Sequence, residues 1–478
     1  MSSRRNFIRN AGAMIAGPFI LKGQSSKEQG NMASSAPESA RQRVAPIYPV
    51  KISANHRYLV DQNQTPYLIQ GEAAWELIVN LNDAAVEQYL RNRKEKGFNS
   101  VIVNLIEHRF SKKPPLNAAG DAPFTTPGDF TTPNEKYFAH ADWVIRKAGE
   151  YGIQVLLYPL YLGYKGTTDG WIEEVLQNGP AKCLHYGLYV GNRYKNFDNI
   201  IWVMGADRSP ESALADVDMV ALGIKENDHH HLMTAHSEPE HTAMDRFGSG
   251  RWLDLDTVYT YQLVHDSLLE NYNSKPIMPY FLIESTYEGE HDASEAQIRR
   301  QAYWAVLCGG VGHFFGDNPI WHFDAPGFFD QFASGVPPAK RLTWQQSMDL
   351  PGSVGMMYWG ALFRSRAWYD LVPDQEHKVV TAGLGEFRGL DYLAAARTSD
   401  GSAVIAYMPS NRKITVDMGR VSGSQAKAWW FDPRNGKASA AGEFPTTRAR
   451  DFTPPAEGDW VLVLDDAARR LPAPGASQ

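Results

Sequence analysis

Between about Val60 and Gly316 the chain alternates short apolar, strand-like runs with longer stretches of helical periodicity, and this alternation constrains its fold more than any other feature. The strand candidates are Tyr67 to Gly71, Ser100 to Leu105, Gln154 to Pro159, Asn199 to Met204, His231 to Ala235, Thr257 to Tyr261, Tyr280 to Ile283 and Val311 to Phe315. Helical patterns fill the gaps, as in Asp83 to Lys96, Glu135 to Tyr151 and Ser294 to Leu307, and Gly97 and Gly152 stand where two of them need a left-handed cap. Eight βα steps in roughly 260 residues predict a (β/α)8 barrel. An open doubly wound sheet is the alternative, but no G-x-G-x-x-G follows an early strand. After Tyr369 the texture changes to short strand patterns divided by Gly, Pro, Asn and Asp turns: Tyr392 to Arg397, Ala403 to Met408, Ile414 to Met418, Ala426 to Phe431 and Trp460 to Leu464. The expected organisation is a barrel over residues 41–368, a small antiparallel β-sandwich over 369–468 and a loose Pro/Ala-rich tail over 469–478.

Residues 1–40 read as an address rather than as fold. Arg4 and Arg5 precede a short, weakly apolar stretch from Ala11 to Leu21, which resembles a twin-arginine export signal and is too short to span a bilayer. Losing these residues removes five basic and two acidic side chains, taking the formal charge from -7 to -10. A periplasmic or secreted protein with no membrane contact is expected. The acidic balance and the lack of a basic stripe argue against nucleic acid, whereas 13 Trp, 22 Tyr and 21 Phe supply rings for a sugar-stacking cleft. Cys183 and Cys308 have no metal-like spacing and are expected to be buried free thiols. His229, His230 and His231, with His236, Glu238, Glu240 and His241, lack H-E-x-x-H spacing, and adjacent histidines on an extended chain face opposite ways, so no metal or other cofactor is expected.

Two apolar runs, Asn199 to Ala206 and Pro279 to Ile283, lead straight into the carboxylates Asp207 and Glu284. A buried charge there is costly unless it is paired or faces a cleft, and a single such residue would suit a salt bridge. In a barrel the carboxyl ends of the strands meet at one mouth, which sets Asp207, after the fourth strand, across from Glu284, on the seventh. Glycoside hydrolysis needs such a pair, one group to protonate the leaving oxygen and one to face the developing oxocarbenium ion. Mutual repulsion would keep one of them protonated, but the residues alone do not say which. The same strand-end logic places Glu72 and Trp75, Asn104, Glu107 and His108, Tyr158 and Tyr161, His236 and Glu238, Tyr261 and Gln262, and Asp317 and Trp321 around the mouth. From these the expected substrate-binding set is Glu72, Trp75, Asn104, His108, Tyr158, His236, Tyr261, Asp317 and Trp321. Each has a plainer reading as core, cleft wall or satisfied structural histidine.

Tyr58 to Leu77, Tyr89 to Asn99, Asn199 to Arg208, and Gly312-His313-Phe314-Phe315-Gly316 followed by Trp321 together resemble the apiosidase-like glycoside hydrolase family. The resemblance runs over nearly all of residues 50–465. Its C-terminal part, with Trp430 to Gly436, Pro454-Pro455 and Gly458 to Leu462, is similar to a module labelled collagen-binding, a label that reports homology rather than function. The resemblance implies a retaining enzyme with Asp207 as acid/base and Glu284 as nucleophile. Two departures line the expected sugar subsite: Gly71-Glu72-Ala73-Ala74-Trp75 where Gly-Asp-Thr-Ala-Trp is usual, and Phe314-Phe315-Gly316-Asp317-Asn318 in place of Thr-Tyr-Gly-Asn. A transglycosylase on the same scaffold and a non-catalytic carbohydrate-binding protein are the alternatives.

Overall fold

The computed structural model describes residues 45–164, 169–325 and 341–476; the export signal and its linker lie outside them. Eight parallel strands form the wall: β1 (Ile69–Ala73), β2 (Ser100–Asn104), β3 (Gln154–Tyr158), β4 (Ile200–Gly205), β5 (Met233–His236), β6 (Asp256–Tyr259), β7 (Tyr280–Glu284) and β8 (Gly312–Phe315). Every residue in them is buried, as in a sheet covered on both faces. The order β5-β4-β3-β2-β1-β8-β7-β6 is a barrel open only at the β5/β6 seam. There the Thr234 and Thr257 hydroxyls donate to the Leu255 and Ala235 carbonyls (2.8 and 2.7 Å), so side chains bridge the gap in the ladder.

Around the wall lie α1 (Asp83–Glu95), α2 (Glu135–Glu150), α3 (Ile172–Tyr194), α4 (Leu214–Asn227), α5 (Val264–Asn273) and α6 (Glu295–Leu307). Asn82, Asn134 and Ser294 cap α1, α2 and α6 by accepting first-turn amides. Gly97 and Gly152 follow the first two at φ 79° and 70°, the left-handed region expected of them. Two elements escaped the sequence reading. One is α7 (Pro351–Arg364), apolar on too many sides to show a stripe. The other is a two-residue strand, His241–Thr242, which folds back antiparallel on β6.

The C-terminal region is antiparallel: β9 (Leu371–Pro373), β10 (Val380–Ala382), β11 (Ala394–Thr398), β12 (Ala403–Met408), β13 (Ile414–Asp417), β14 (Gln425–Asp432), β15 (Lys437–Pro445), β16 (Ala449–Phe452) and β17 (Trp460–Asp466). A six-stranded sheet, β9-β11-β12-β17-β14-β15, faces a three-stranded one, β10-β13-β16. Side-chain alternation divides the large sheet between two cores. Val404, Ala406 and Met408 of β12 fill the space between the sheets, whereas Ile405 and Tyr407 join the barrel's own core. Tyr407 stacks on Tyr303 of α6 at 4.6 Å, and Arg299 and Arg366 clasp Asp459 and Asp465. The tail expected to be loose is tied down instead: Arg366 donates to the Pro472 carbonyl (3.0 Å) and the Gly475 amide to Ser365 Oγ (3.1 Å).

Candidate active site

The turn that ends β4 delivers Asp207. Gly205 has φ 91°, and a Cβ there would stand 2.2 Å from the His236 carbonyl oxygen, so glycine alone lets β4 and β5 approach at this point. One oxygen of Asp207, one nitrogen of His236 and one oxygen of Glu284 then lie within 4.8 Å of one another. The imidazole presents Nδ1 to Asp207 Oδ1 and Nε2 to Glu284 Oε2, each at 3.5 Å. Hydroxyls frame the group: Tyr161 donates to Asp207 (2.9 Å), Tyr261 to Glu284 (3.1 Å) and Tyr259 to Tyr261 (3.0 Å), while that of Tyr158 lies 3.2 Å from His236 Nδ1. Asp207 Oδ1, His236 Nε2 and Glu284 Oε2 are buried without a hydrogen bond. Three such atoms around one space call for a polar ligand.

Among the described residues no Arg or Lys forms an ion pair with either carboxylate. Burial pushes Asp207 up to about 7, and burial followed by the charge of Asp207 holds Glu284 well above the usual carboxylate range. Burial also drives His236 down to about 3, so the ring is neutral and lends no positive charge. Two carboxylates so placed keep one proton between them at neutral pH. Two carboxylates and a neutral imidazole are also donors that a divalent cation accepts. Here, however, each imidazole nitrogen faces a different carboxylate, so the ring spans the pair and does not aim one lone pair at a point shared by both.

Aromatic rings wall the space. Trp75 lies parallel to His236 (5.9 Å, 13°) and donates to the Tyr287 hydroxyl (3.1 Å). Contacts of 5.6 to 5.9 Å run from Trp75 to Tyr161, on to Phe110 and on to Trp321. Trp321 donates to Glu290 (2.8 Å), whose charge acts on Glu284.

Of the predicted set, Trp75, Tyr158, His236 and Tyr261 surround Asp207 and Glu284, and Trp321 closes the ring wall. Four others lie elsewhere. Glu72 points out of the barrel because alternation along β1 turns it, like Gln70, towards the helices; it pairs with Arg93 of α1 (2.6 Å). Asp317 belongs to the same buried region, where the charges of Glu288, Glu72 and Arg93 act on it. The unusual Glu72 and Asp317 therefore do not line the sugar space. Asn104 bridges Glu76 and Glu107 (3.1 and 3.0 Å), and Glu107 accepts the amides of His108, Arg109 and Phe110, so Asn104 shapes the loop after β2. His108 is half-buried against Glu174 (2.8 Å). The sequence reading missed Phe110, Tyr259, Tyr287 and Glu290. The spacing of Tyr259 two residues before Tyr261 was a usable signal; the others sit on loops without periodicity.

A (β/α)8 barrel with two buried, cation-free carboxylates at its mouth and aromatic walls is the construction of a glycoside hydrolase. The chain belongs to the apiosidase-like family, whose sequence model, described as "Apiosidase-like, catalytic domain", matches residues 53–370. Residues 372–465 match one described as "Putative collagen-binding domain of a collagenase". Among solved structures, one titled as a glycoside hydrolase is 26% identical, with 88% of this chain and 97% of that chain covered and a TM-score of 0.76. A glycoside hydrolase family 5 protein from Bacteroides vulgatus is also 26% identical, with 88% and 94% covered and a TM-score of 0.77. No curated protein matches the chain.

Proposed function

We propose that the chain is a retaining glycoside hydrolase acting on a plant or microbial polysaccharide or oligosaccharide, with Asp207 as acid/base and Glu284 as nucleophile. One observation carries the reading: oxygens of the two carboxylates approach within 4.8 Å. That is close to the ~5–5.5 Å of retaining pairs and short of the ~6.5–9.5 Å that leaves room for an inverting water. In the first step Glu284 attacks the anomeric carbon while Asp207 hands its proton to the departing oxygen. In the second, Asp207 takes a proton from water as the water oxygen displaces Glu284. The competent form has the shared proton on Asp207 and the charge on Glu284, where the Tyr261 hydroxyl donates to it. Neutral His236 fills the gap beside both groups without quenching either charge. The family match makes apiosides the first substrates to try, and Arg4-Arg5 supports an encounter with substrate outside the cytoplasm.

The test is to incubate wild type, Asp207→Ala and Glu284→Gln with aryl glycosides, apiosides and pectic oligosaccharides, following the released anomer by NMR. Retention, with turnover lost in both variants, is the expected result. Inversion, or undiminished turnover in either variant, refutes the assignment.

A further inference from the structure

We propose that Glu240, on the loop joining β5 to β6, is a positioning residue that holds Tyr261 against Glu284; this rests on reading Glu284 as the working carboxylate. The loop folds back along β6, where the Glu240 amide donates to the Tyr259 carbonyl (2.7 Å) and His241 pairs with Tyr259. The side chain then spans the neighbouring turn. Its Oε1 accepts the Tyr261 amide (3.0 Å) and its Oε2 the Thr260 hydroxyl (2.7 Å), whose oxygen in turn accepts the Gln262 amide (3.0 Å). One carboxylate thereby fixes three successive residues. Tyr261 needs that support. Its ring is 45% exposed and meets Tyr259 edge-on at 5.3 Å, yet its hydroxyl must stay 3.1 Å from Glu284. A ring with so little packing keeps its aim through its backbone. Glu240 also holds a left-handed φ of 69°, an unfavourable conformation for a glutamate that persists here with both carboxylate oxygens engaged.

The hydrogen bond from Tyr261 favours the charged form of Glu284, so its loss raises the pH at which Glu284 ionises. The other groups facing Glu284 are Tyr259 of β6, Asp207 after β4, His236 of β5, Tyr158 and Tyr161 from β3 and its loop, and Tyr287 and Glu290 after β7. The charges acting on Glu284 are those of Asp207 and Glu290, so Glu240 works through where it puts Tyr261.

The test reads the ionisation midpoint of Glu284 in the full chain from the pH dependence of its labelling by a water-soluble carbodiimide and an amine, located by peptide mass spectrometry. No glycoside is needed. Glu240→Ala and Tyr261→Phe should each raise the midpoint by about one pH unit, and the double variant no further than either alone. Glu240→Gln, which keeps a carbonyl for the Tyr261 amide, should stay near wild type. Thr260→Val removes one strut and should move the midpoint part of the way, which covers a Glu240→Ala chain that does not fold. With an aryl glycoside that wild type hydrolyses, the acid limb of kcat/KM should shift in parallel. An unmoved midpoint in Glu240→Ala or Thr260→Val, or additive shifts in the double variant, overturns the proposal. Midpoints that move as expected in a chain that hydrolyses no glycoside uphold Glu240 and count against the hydrolase reading alone.

Discussion

Glu284 ends β7 and Asp465 lies at the end of β17, each after a run of buried apolar residues, and both are themselves buried. Their partners differ. Asp465 takes two hydrogen bonds from one guanidinium, Arg366 Nε and Nη2 at 2.7 and 2.6 Å. Glu284 has the Tyr261 hydroxyl, a neutral imidazole and a second carboxylate. A carboxylate closing an apolar strand is therefore not in itself a sign of chemistry. What separates the two is whether the fold supplies the opposite charge or leaves an oxygen facing open space. Glu72, Glu288 and Asp317 stand between these cases, three buried carboxylates near the single cation Arg93; burial pushes Glu288 up to about 7.

Removing one acid of each kind tests the contrast hardest. Glu284→Gln should lower kcat on the order of 10⁴-fold while holding or raising the thermal midpoint, because a desolvated carboxylate is gone; loss of stability with activity retained would put Glu284 among the structural acids. Asp465→Ala should do the opposite. It strands a buried guanidinium at a cost of about 3–5 kcal/mol in urea denaturation, with kcat per folded molecule unchanged. The third effect is in pH. The folded protein keeps on the Asp207/Glu284 pair a proton that the unfolded chain has released by about pH 5. Stability should thus fall as pH rises from about 4 towards about 7, a slope that Asp207→Asn flattens, and kcat/KM should decline above about 7 as Asp207 loses its proton. A slope unchanged in Asp207→Asn would mean the pair shares no proton. The smallest effect is expected from Glu72→Gln: kcat and KM unchanged, with only a modest drop in thermal midpoint. A raised KM would bring Glu72 back to the sugar space.

The barrel was legible because each of its strands is a continuous apolar run bounded by helical periodicity, and the strand order then set Asp207 opposite Glu284. The same counting erred at Glu72, where being near a strand's end outweighed the period-two rule that turns it outward. It also erred at Asp317, one residue past a glycine that ends the regular alternation. Tyr287, Glu290 and Glu240 act from loops, and their partners, Trp75, Trp321 and Tyr261, are remote in sequence or on another strand; no local pattern encodes such contacts. In the C-terminal region β15 was missed because it is an edge strand with mostly exposed or half-exposed residues, so it lacks the apolar run that marked its neighbours.

The large C-terminal sheet has a further consequence for how such a chain can evolve. Its barrel-facing residues, Ala394, Ala396, Ile405, Tyr407, Phe431, Val461 and Val463, share one continuous core with the barrel. A gene fragment ending near residue 370 would leave the matching barrel surface, around Tyr303 and Trp359, wet and adhesive. The two matched regions are thus inherited as one body: recombination at their border would yield two insoluble halves, and neither could serve as a portable module.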